Sequence, residues 1–223
     1  HVASAGTTGL STIDFKLTDR FADVPENGAF QIERLLPMDG CVYPWRSVAP
    51  ATTHPFDRAT LRIAADAVVI GAFVTPLKLS RRCLALWREV LQRIPLAVLA
   101  FSPTNAALRG SYLRLARAAG IAEDRLVFIP QGRDDAENQA RYHVVDFVLD
   151  TMPFGGVNGT LEALAMRVPV VTLVGRRHGE RTGYSILTNL GVGETVAQSG
   201  REYLEIAVRL TEDPAFLADV RSR

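Results

Sequence analysis

Residues 144–175 read VVDFVLDTMPFGGVNGTLEALAMRVPVVTLVG, and this stretch decides the fold class. An apolar run ends at Asp150, a glycine-rich turn follows, a helical pattern begins near Asn158, and a second apolar run begins at Val168. A strand, a helix and a strand in this order predict a right-handed βαβ unit with parallel strands. The turn has a structural explanation, because glycine permits positive φ and close backbone approach. It also has a functional one, because the free N–H groups at a helix N-terminus favour phosphate.

The same alternation of apolar runs and helical patterns extends over most of the chain. Apolar runs typical of buried parallel strands occur at 66–73, 96–102, 125–130, 144–150 and 168–175. Helical patterns lie at 79–94, 105–120, 158–167, 181–191, 201–213 and from 214 onward, with a short helix expected within 131–143. Gly120 is expected to close the second helix as its C-cap. The predicted fold class is therefore α/β, a doubly wound parallel sheet with helices on both faces.

Residues 1 to about 50 follow a different pattern. The segment STIDFKLTD (11–19) is strand-like, whereas MDGCVYPWRSVAPATTHP (38–55) is punctuated by proline and predicts a linker. The chain begins with His1 rather than Met and stops at Arg223 inside a helical pattern. We therefore expect a fragment of a longer protein.

Composition and charge argue against several classes of partner. The chain has 223 residues, is 48% hydrophobic and carries a net charge of +1, so neither nucleic acid nor a membrane surface is an expected partner. No apolar stretch approaches the roughly 18 residues of a membrane helix, and no signal peptide is visible. The two cysteines, Cys41 and Cys83, show no metal or disulfide spacing, which favours a reducing cytoplasm.

Three loops are expected to meet at one edge of the sheet, because ligands of open parallel sheets bind outside the carboxyl ends of the strands. The loop after the first apolar run contains Thr75 and Lys78. Further candidates follow the later strands: Gln131, Arg133 and Arg141 after 125–130, and Gly156, Asn158, Gly159 and Thr160 after Asp150. A lysine beside a helix N-terminus would suit a diphosphate, because the N–H groups hold its oxygens and Lys78 supplies a mobile charge.

Two familiar phosphate loops are missing from the sequence. There is no GxxxxGK[ST] stretch, and no strand is followed by GxGxxG, which disfavours a kinase or a dehydrogenase. The candidates also have structural interpretations: Lys78 as a solvated lysine, Asn158 as an N-cap, and Glu162 as a complement to the helix dipole.

Other side chains near these loops are open to interpretation. His143 is interpreted as packed or hydrogen-bonded beside a strand, whereas His178 is expected to open a helix that points at the same cleft. Its neighbours Arg177 and Arg181 could be phosphate partners or a solvated basic turn. Aromatic residues expected in the core are Trp87 and Phe154.

Four segments together resemble one family of enzymes. The block DFVLDTMPFGGVNGTLEALAMRVPVVTLVGRRHGERTGYSILTNLG (146–191) resembles the catalytic domain of the O-linked N-acetylglucosamine transferase and SPINDLY family, which includes the bacterial cytoplasmic adhesin glycosyltransferases. Segments VTPLKLSRRCLALWREVLQRIP (74–95), AGTTGLSTIDFKLTD (5–19) and EYLEIAVRLTEDPAFLADVR (202–221) are similar to family segments in the same order. The resemblance covers essentially the whole chain.

The resemblance implies a two-domain GT-B architecture in which the C-terminal half binds the donor. Residues 1–55 would be the end of the N-terminal half and a linker, and 56–223 the Rossmann-like nucleotide-sugar-binding domain. The N-terminal superhelical tetratricopeptide repeats of the family would lie upstream. No metal and no cofactor are required, since the nucleotide-sugar is a co-substrate.

The resemblance also implies roles for individual residues. Lys78 corresponds to the lysine that contacts the donor diphosphate and supports the departing nucleotide, and Asn158, Gly159 and Thr160 fall where family members hold that diphosphate. Glu162 falls where the family carries an acidic residue, usually Asp, that meets the ribose. Residues near the base-contacting segment are Gln131, Arg133 and Arg141, and those in the loop facing the sugar are Thr7 and Thr8.

The expected function is that of an inverting glycosyltransferase. The sugar would be N-acetylglucosamine or a hexose, because Val157-Asn158-Gly159 replaces a His-Thr-Thr run and is nearer to the bacterial asparagine glucosyltransferases. The donor would be a UDP-sugar, and the acceptor a protein or peptide Ser, Thr or Asn. The alternatives are a non-catalytic nucleotide-sugar-binding or interaction module and a GDP-fucose-dependent O-fucosyltransferase.

Overall fold

The computed structural model describes residues 6–46, 48 and 55–223, and in these ranges the chain forms two parallel sheets. The smaller sheet pairs β1 (Phe15–Asp19) with β2 (Arg34–Met38). The larger sheet has six strands, β3 (Val68–Ala72), β4 (Ala97–Thr104), β5 (Leu126–Pro130), β6 (Phe147–Leu149), β7 (Val170–Leu173) and β8 (Val196–Ala197). The helices are α1 (Arg81–Arg93), α2 (Ala106–Ala118), α3 (Asp135–Ala140), α4 (Asn158–Ala165), α5 (Thr182–Asn189), α6 (Gly200–Glu212) and α7 (Pro214–Ser222).

The strand order of the larger sheet fixes where a ligand can bind. The order is β5-β4-β3-β6-β7-β8, and every pair is parallel. The order reverses between β3 and β6, so the crevice beyond their carboxyl ends is the topological switch point of the sheet. Close approach of the two strands depends on Gly71, since a Cβ there would lie 2.9 Å from Val148 Cγ2. The predicted doubly wound α/β fold is confirmed.

Helix α1 shows how the sequence pattern produces the core. Ser80 begins the helix, and its Oγ accepts from Cys83 N at 3.1 Å. The apolar side chains expected on one face are buried against the sheet, and Trp87 donates through Nε1 to Tyr203 Oη of α6 at 3.1 Å. Tyr203 Oη in turn donates to Asp150 O at 3.0 Å. The helix layer is thus connected to the carboxyl end of β6.

The structure differs from the predicted strands in three places. Strand β6 is shorter than the predicted 144–150, because Arg141–Val144 forms a 3₁₀ turn before it. The two-residue strand β8 was not predicted, since so short a run carries no periodicity. Strand β2 was also missed, because Pro37 stands in it and most of its side chains are exposed. Gly120 follows α2 with φ +74°, as expected of a residue that closes a helix.

Part of the predicted linker, residues 38–46, packs against the larger sheet's helices. Val42 and Tyr43 are buried in a cluster with Ile186 of α5, and Val42 N donates to Asp19 Oδ2 at 3.0 Å. A segment that contains several prolines can thus still be fixed in place by the burial of two apolar side chains. The rest of the predicted linker lies mostly outside the described residues, and the domain boundary near residue 55 stays a prediction. Across the described ranges, no helix combines the length and apolar character needed to cross a membrane.

Candidate functional site

The glycine-rich turn after β6 is organised by Asp150. Its Oδ1 accepts from Thr151 N at 2.8 Å and from Gly156 N at 2.7 Å, and its Oδ2 accepts from Thr172 Oγ1 at 2.8 Å. Burial raises the pKa of this carboxyl group, while these donors and the charge of Lys78 act in the opposite direction. A buried carboxylate thus pins both ends of the turn to the edge of the sheet.

Close packing, rather than a left-handed backbone, explains Gly155 and Gly156 in this turn. Gly155, Gly156 and Gly159 are not among the glycines with positive φ. A Cβ on Gly155 would lie 2.5 Å from Thr182 Oγ1 and 3.0 Å from Asp150 Oδ2. The expectation of positive φ was therefore wrong here, and the expectation of close backbone approach is confirmed.

Lys78 joins the two loops at the switch point. Its Nζ donates to Gly155 O at 3.0 Å and lies 4.5 Å from the ring centroid of Phe154. Burial lowers the pKa of Lys78, and the nearby Asp150 carboxylate opposes that shift. Phe154 was expected in the core but is 41% exposed, because it covers the lysine instead, whereas Trp87 is fully buried as predicted. An ammonium held beside a helix N-terminus is an anion-binding arrangement.

The first turn of α4 faces the same region. Val157, and not Asn158, takes the N-cap position, and it makes no side-chain cap. Asn158 is the first helical residue and is exposed, so its side chain is not committed to capping. Thr160 is buried and donates through Oγ1 to Gly156 O at 3.3 Å, which shapes the turn. The N–H groups of the first helical turn have no acceptor within the helix.

A cleft of about 570 Å³ lies next to this turn. Four predicted donor-binding residues line it, namely Gln131, Arg141, Asn158 and Glu162. Pro44, Trp45, Arg46 and Val48 of the N-terminal segment line it as well. The cleft therefore lies between the N-terminal segment and the larger sheet, and it brings together side chains from the second and third predicted loops.

Arg141 and Glu162 are two of the charged residues that line the cleft, besides Arg46 and Asp135. Arg141 donates through Nε to Asn138 O at 2.7 Å, its Nη1 donates to Ser102 Oγ, and burial lowers its pKa. Among the described residues, no carboxylate forms an ion pair with it. Burial raises the pKa of Glu162, and Arg141 opposes that shift. Both groups are thus desolvated and able to contact a polar ligand.

Tyr142 contacts Glu162 and was not among the site residues predicted from the sequence. Its hydroxyl donates to Gly159 O at 3.1 Å and lies 3.2 Å from Glu162 Oε2. The ring is buried and packs on Phe73 with centroids 4.6 Å apart. Asp150 was also not proposed as a site residue, although its position at the end of an apolar run, five residues before Gly155, was a usable signal.

Several predicted residues lie outside the cleft. Thr75 is exposed before the 3₁₀ turn Pro76–Lys78. The side chain of Arg133 is 84% exposed and binds Glu137, with Nε donating to Oε1 at 2.8 Å. Thr7 Oγ1 and Thr8 N each donate to Glu33 at 2.6 Å, and these threonine contacts lower the Glu33 pKa to about 2. The structure thus gives Arg133, Thr7 and Thr8 intramolecular partners instead of a place in the cleft.

The expectation that His178 points at the cleft was wrong, whereas the expectations for His143 and the basic neighbours hold in part. His143 is exposed, so it is not packed, but it is not without a partner. His178 is only 2% exposed and does not line the cleft. Arg181 donates to Phe21 O at 2.8 Å and to Gly175 O at 3.0 Å, so backbone carbonyls occupy its guanidinium. Arg177 is exposed. Long-range contacts with residues 21–43, which local sequence does not reveal, turn His178 and Arg181 away from the cleft.

The order of the six strands, with a lysine and a helix N-terminus at the switch point, defines a Rossmann-like domain of the GT-B type. The sequence profile of glycosyl transferase family 41 matches residues 49–223, and the chain belongs to this family. The family resemblance identified from the four segments is confirmed.

Two plant proteins illustrate the relationship. The chain is 29% identical over 221 residues to the Arabidopsis thaliana protein named probable UDP-N-acetylglucosamine–peptide N-acetylglucosaminyltransferase SPINDLY, covering 96% of this chain and 24% of that protein. The protein of the same name from Oryza sativa subsp. japonica is 30% identical over 221 residues, covering 96% of this chain and 23% of that protein. The chain therefore spans about a quarter of the length of these relatives.

Solved structures agree on the fold. A mutant O-GlcNAc transferase of Thermobaculum terrenum has a TM-score of 0.83 and 29% identity, covering 99% of this chain and 41% of that chain. The sucrose-phosphate synthase of Thermosynechococcus elongatus has a TM-score of 0.57 and 17% identity, covering 93% of this chain and 51% of that chain. The second similarity concerns the fold alone.

Proposed function

We propose that this chain is the donor-binding part of an inverting glycosyltransferase. The enzyme transfers N-acetylglucosamine or a hexose from a UDP-sugar to Ser, Thr or Asn side chains of a protein in the cytoplasm. Membership of glycosyl transferase family 41 supports the reaction class, and the names of the plant relatives support UDP-N-acetylglucosamine and a peptide as co-substrates. Upstream tetratricopeptide repeats and the rest of the N-terminal half belong to the same proposal.

The observation that carries the proposal is the position of Lys78. Its Nζ is held by Gly155 O at 3.0 Å, at the point where the strand order reverses and beside the N-terminus of α4. A diphosphate placed here would meet both the ammonium and the helix N–H groups. Lysine suits this task because its ammonium is a mobile point charge that can follow the oxygens during the reaction.

The neighbouring cleft has a size and lining that suit the nucleoside. Its volume of about 570 Å³ lies within the usual range for small-molecule sites. In this proposal Glu162 would accept from a ribose hydroxyl, and Gln131 and Arg141, which line the same cleft, would lie beside the base. The diphosphate would then lie between this cleft and Lys78, across the first turn of α4.

The proposed chemistry is a single displacement. An acceptor oxygen or nitrogen attacks the anomeric carbon and gives up its proton, and the bond between that carbon and the β-phosphate oxygen breaks with inversion to release the nucleoside diphosphate. The charge that develops on the departing nucleotide is met by Lys78 and the N–H groups of α4, without a metal ion. Preorganised groups aimed at developing charge are worth on the order of 10²-fold in rate each.

A calorimetric titration of the chain with UDP and GDP tests the proposal. We expect UDP to bind more tightly than GDP, and Lys78→Ala to weaken UDP binding by about 30-fold, the value of a charge-assisted hydrogen bond. Arg201→Ala is the control, because Arg201 is an exposed cation paired with Glu205 on α6. A preference for GDP would favour the fucosyltransferase alternative.

Transfer activity of the full-length protein separates an enzyme from a binding module. Wild-type protein should transfer sugar to an acceptor peptide, and Lys78→Ala should lower the rate by about 10²-fold. UDP binding with no transfer by the full-length protein would support the non-catalytic module. Equal UDP affinity of wild type and Lys78→Ala would contradict the placement of the diphosphate.

A further inference from the structure

The loop between β7 and α5 contains a buried histidine that faces away from the cleft. His178 Nδ1 lies 2.6 Å from Asp23 Oδ2, and its Nε2 lies 2.9 Å from Tyr43 Oη. Since the carboxylate can only accept, Nδ1 carries the hydrogen of the first contact, and Nε2 shares a hydrogen bond with the Tyr43 hydroxyl. Both ring nitrogens are therefore held by the N-terminal segment.

The N-terminal side of this contact is itself well fixed. Asp23 accepts from Thr18 Oγ1 at 2.7 Å and from Asn27 Nδ2 at 2.9 Å. These contacts, together with His178, lower the pKa of Asp23 against the effect of burial. Arg181 adds a second link, since its Nε donates to Phe21 O at 2.8 Å. The loop is thus tied to the N-terminal segment on both sides of Gly179.

The residue after His178 continues the contact toward the diphosphate site. Gly179 O accepts from Gly155 N at 2.8 Å, and Gly155 O accepts from Lys78 Nζ at 3.0 Å. A Cβ on Gly155 would lie 3.6 Å from Gly179 O, so the two backbones pack directly. Only the Cα of Gly155 therefore lies between the N–H that the His178 loop accepts from and the carbonyl that holds the lysine.

We propose that His178 is a positioning residue for Lys78: the imidazole fixes Gly179, whose carbonyl fixes the N–H of Gly155, and the carbonyl of Gly155 orients the ammonium. This inference rests on the proposed function, since it concerns the ammonium assigned to the diphosphate. His178 does not touch the ligand. Its effect reaches the ligand only through the backbone of Gly179 and Gly155, and Asp23 and Tyr43 make that effect depend on the N-terminal segment.

A double-mutant cycle on the whole 223-residue chain tests the inference. UDP and uridine affinities are measured by calorimetry for wild type, His178→Ala, Lys78→Ala and the double variant. We expect His178→Ala to weaken UDP binding by about 5- to 10-fold, the effect of a misplaced charged contact. Uridine affinity should change by less than about twofold, because His178 does not line the nucleoside cleft.

The double variant separates positioning from a general structural role. If His178 acts through Lys78, the double variant should bind UDP no more weakly than Lys78→Ala alone. Multiplying losses, or an equal loss of uridine affinity, would overturn the inference and leave the proposed function standing. No effect of Lys78→Ala on UDP affinity would overturn both.

Two milder variants keep the test valid if His178→Ala does not fold. Tyr43→Phe keeps the ring and removes only the hydroxyl that contacts Nε2, so UDP affinity should fall by about two- to threefold. His178→Asn can still donate an amide N–H to Asp23 and should recover part of the loss. Unchanged UDP affinity in Tyr43→Phe, with His178→Asn as weak as His178→Ala or weaker, would also overturn the inference.

Discussion

Asp150 should be the residue on which the stability of the donor turn depends most. In Asp150→Ala, two backbone N–H groups and the Thr172 hydroxyl lose their acceptor in a fully buried place. An orphaned buried donor costs about 1–3 kcal/mol, and the Thr172 hydroxyl can rotate toward another acceptor. The expected loss in the free energy of unfolding is therefore about 3–5 kcal/mol.

Asp150→Asn is the matched control for that prediction. The amide oxygen can still accept from Thr151 N and Gly156 N, and the amide nitrogen can donate to Thr172 Oγ1 if that hydroxyl turns. The expected loss is only about 1 kcal/mol. Urea unfolding followed by circular dichroism measures both values, with equal m-values as a check on two-state behaviour. Equal losses for Ala and Asn would refute the assignment of the three hydrogen bonds.

The pH dependence gives a second, independent test of Asp150. Burial raises its pKa in the folded state, so its contribution to stability is present in full below the unfolded value of 3.8 and is lost as the pH rises through the raised pKa. Asp150→Asn does not titrate. The difference in unfolding free energy between wild type and Asp150→Asn should therefore shift against the wild type as the pH rises above 3.8. A shift in the opposite direction would mean that the hydrogen bonds outweigh burial.

Three further changes probe the support of the site. Tyr142→Phe removes the hydroxyl beside Glu162 and should weaken uridine binding by about threefold in calorimetry, with little change in melting temperature. An unchanged uridine affinity would contradict the proposed contact between Glu162 and the ribose. Gly155→Ala places a methyl group 2.5 Å from Thr182 Oγ1. It should lower the free energy of unfolding by about 1–3 kcal/mol and the melting temperature by several degrees. An unchanged melting temperature would show that the turn can move to make room for the methyl group. Ser80→Ala removes the N-cap of α1 and the bond to Met152 O, so urea unfolding should show a loss of about 1–2 kcal/mol; a loss below 0.5 kcal/mol would contradict the cap.

The sequence predicted the sheet well because its strands are buried on both faces. Runs such as 96–102 are almost continuously apolar, which only a covered parallel strand explains, and the helix pattern of α1 matches its buried face. Strand β2 could not be found in this way. It has exposed side chains and a proline, and it exists because β1 offers it a hydrogen-bonding edge.

The site was predictable where chemistry is local and unpredictable where it is long-range. Lys78 and the first turn of α4 were predicted to lie together because each is recognised from a few neighbouring residues at the end of a strand, and the structure brings them together. His178 and Arg181 were placed in the wrong environment, because their partners Asp23 and Phe21 are more than 150 positions away in the chain. The prediction for the glycine-rich turn was half right. The sequence pattern shows that glycine is needed at Gly155, but it does not show which atoms approach that residue.

The two parts of the proposed donor site are supported by different elements. Arg141 and Glu162 rest on Ser102, Tyr142 and the first turns of α3 and α4, whereas Lys78 rests on Gly155 and thus on Asp150 and Gly179. Few contacts are shared between these supports. Changes at Tyr142 should therefore act on the nucleoside and changes at Asp150 or His178 on the diphosphate. UDP and uridine measured side by side can attribute a loss of affinity to one part of the site, which UDP alone cannot do.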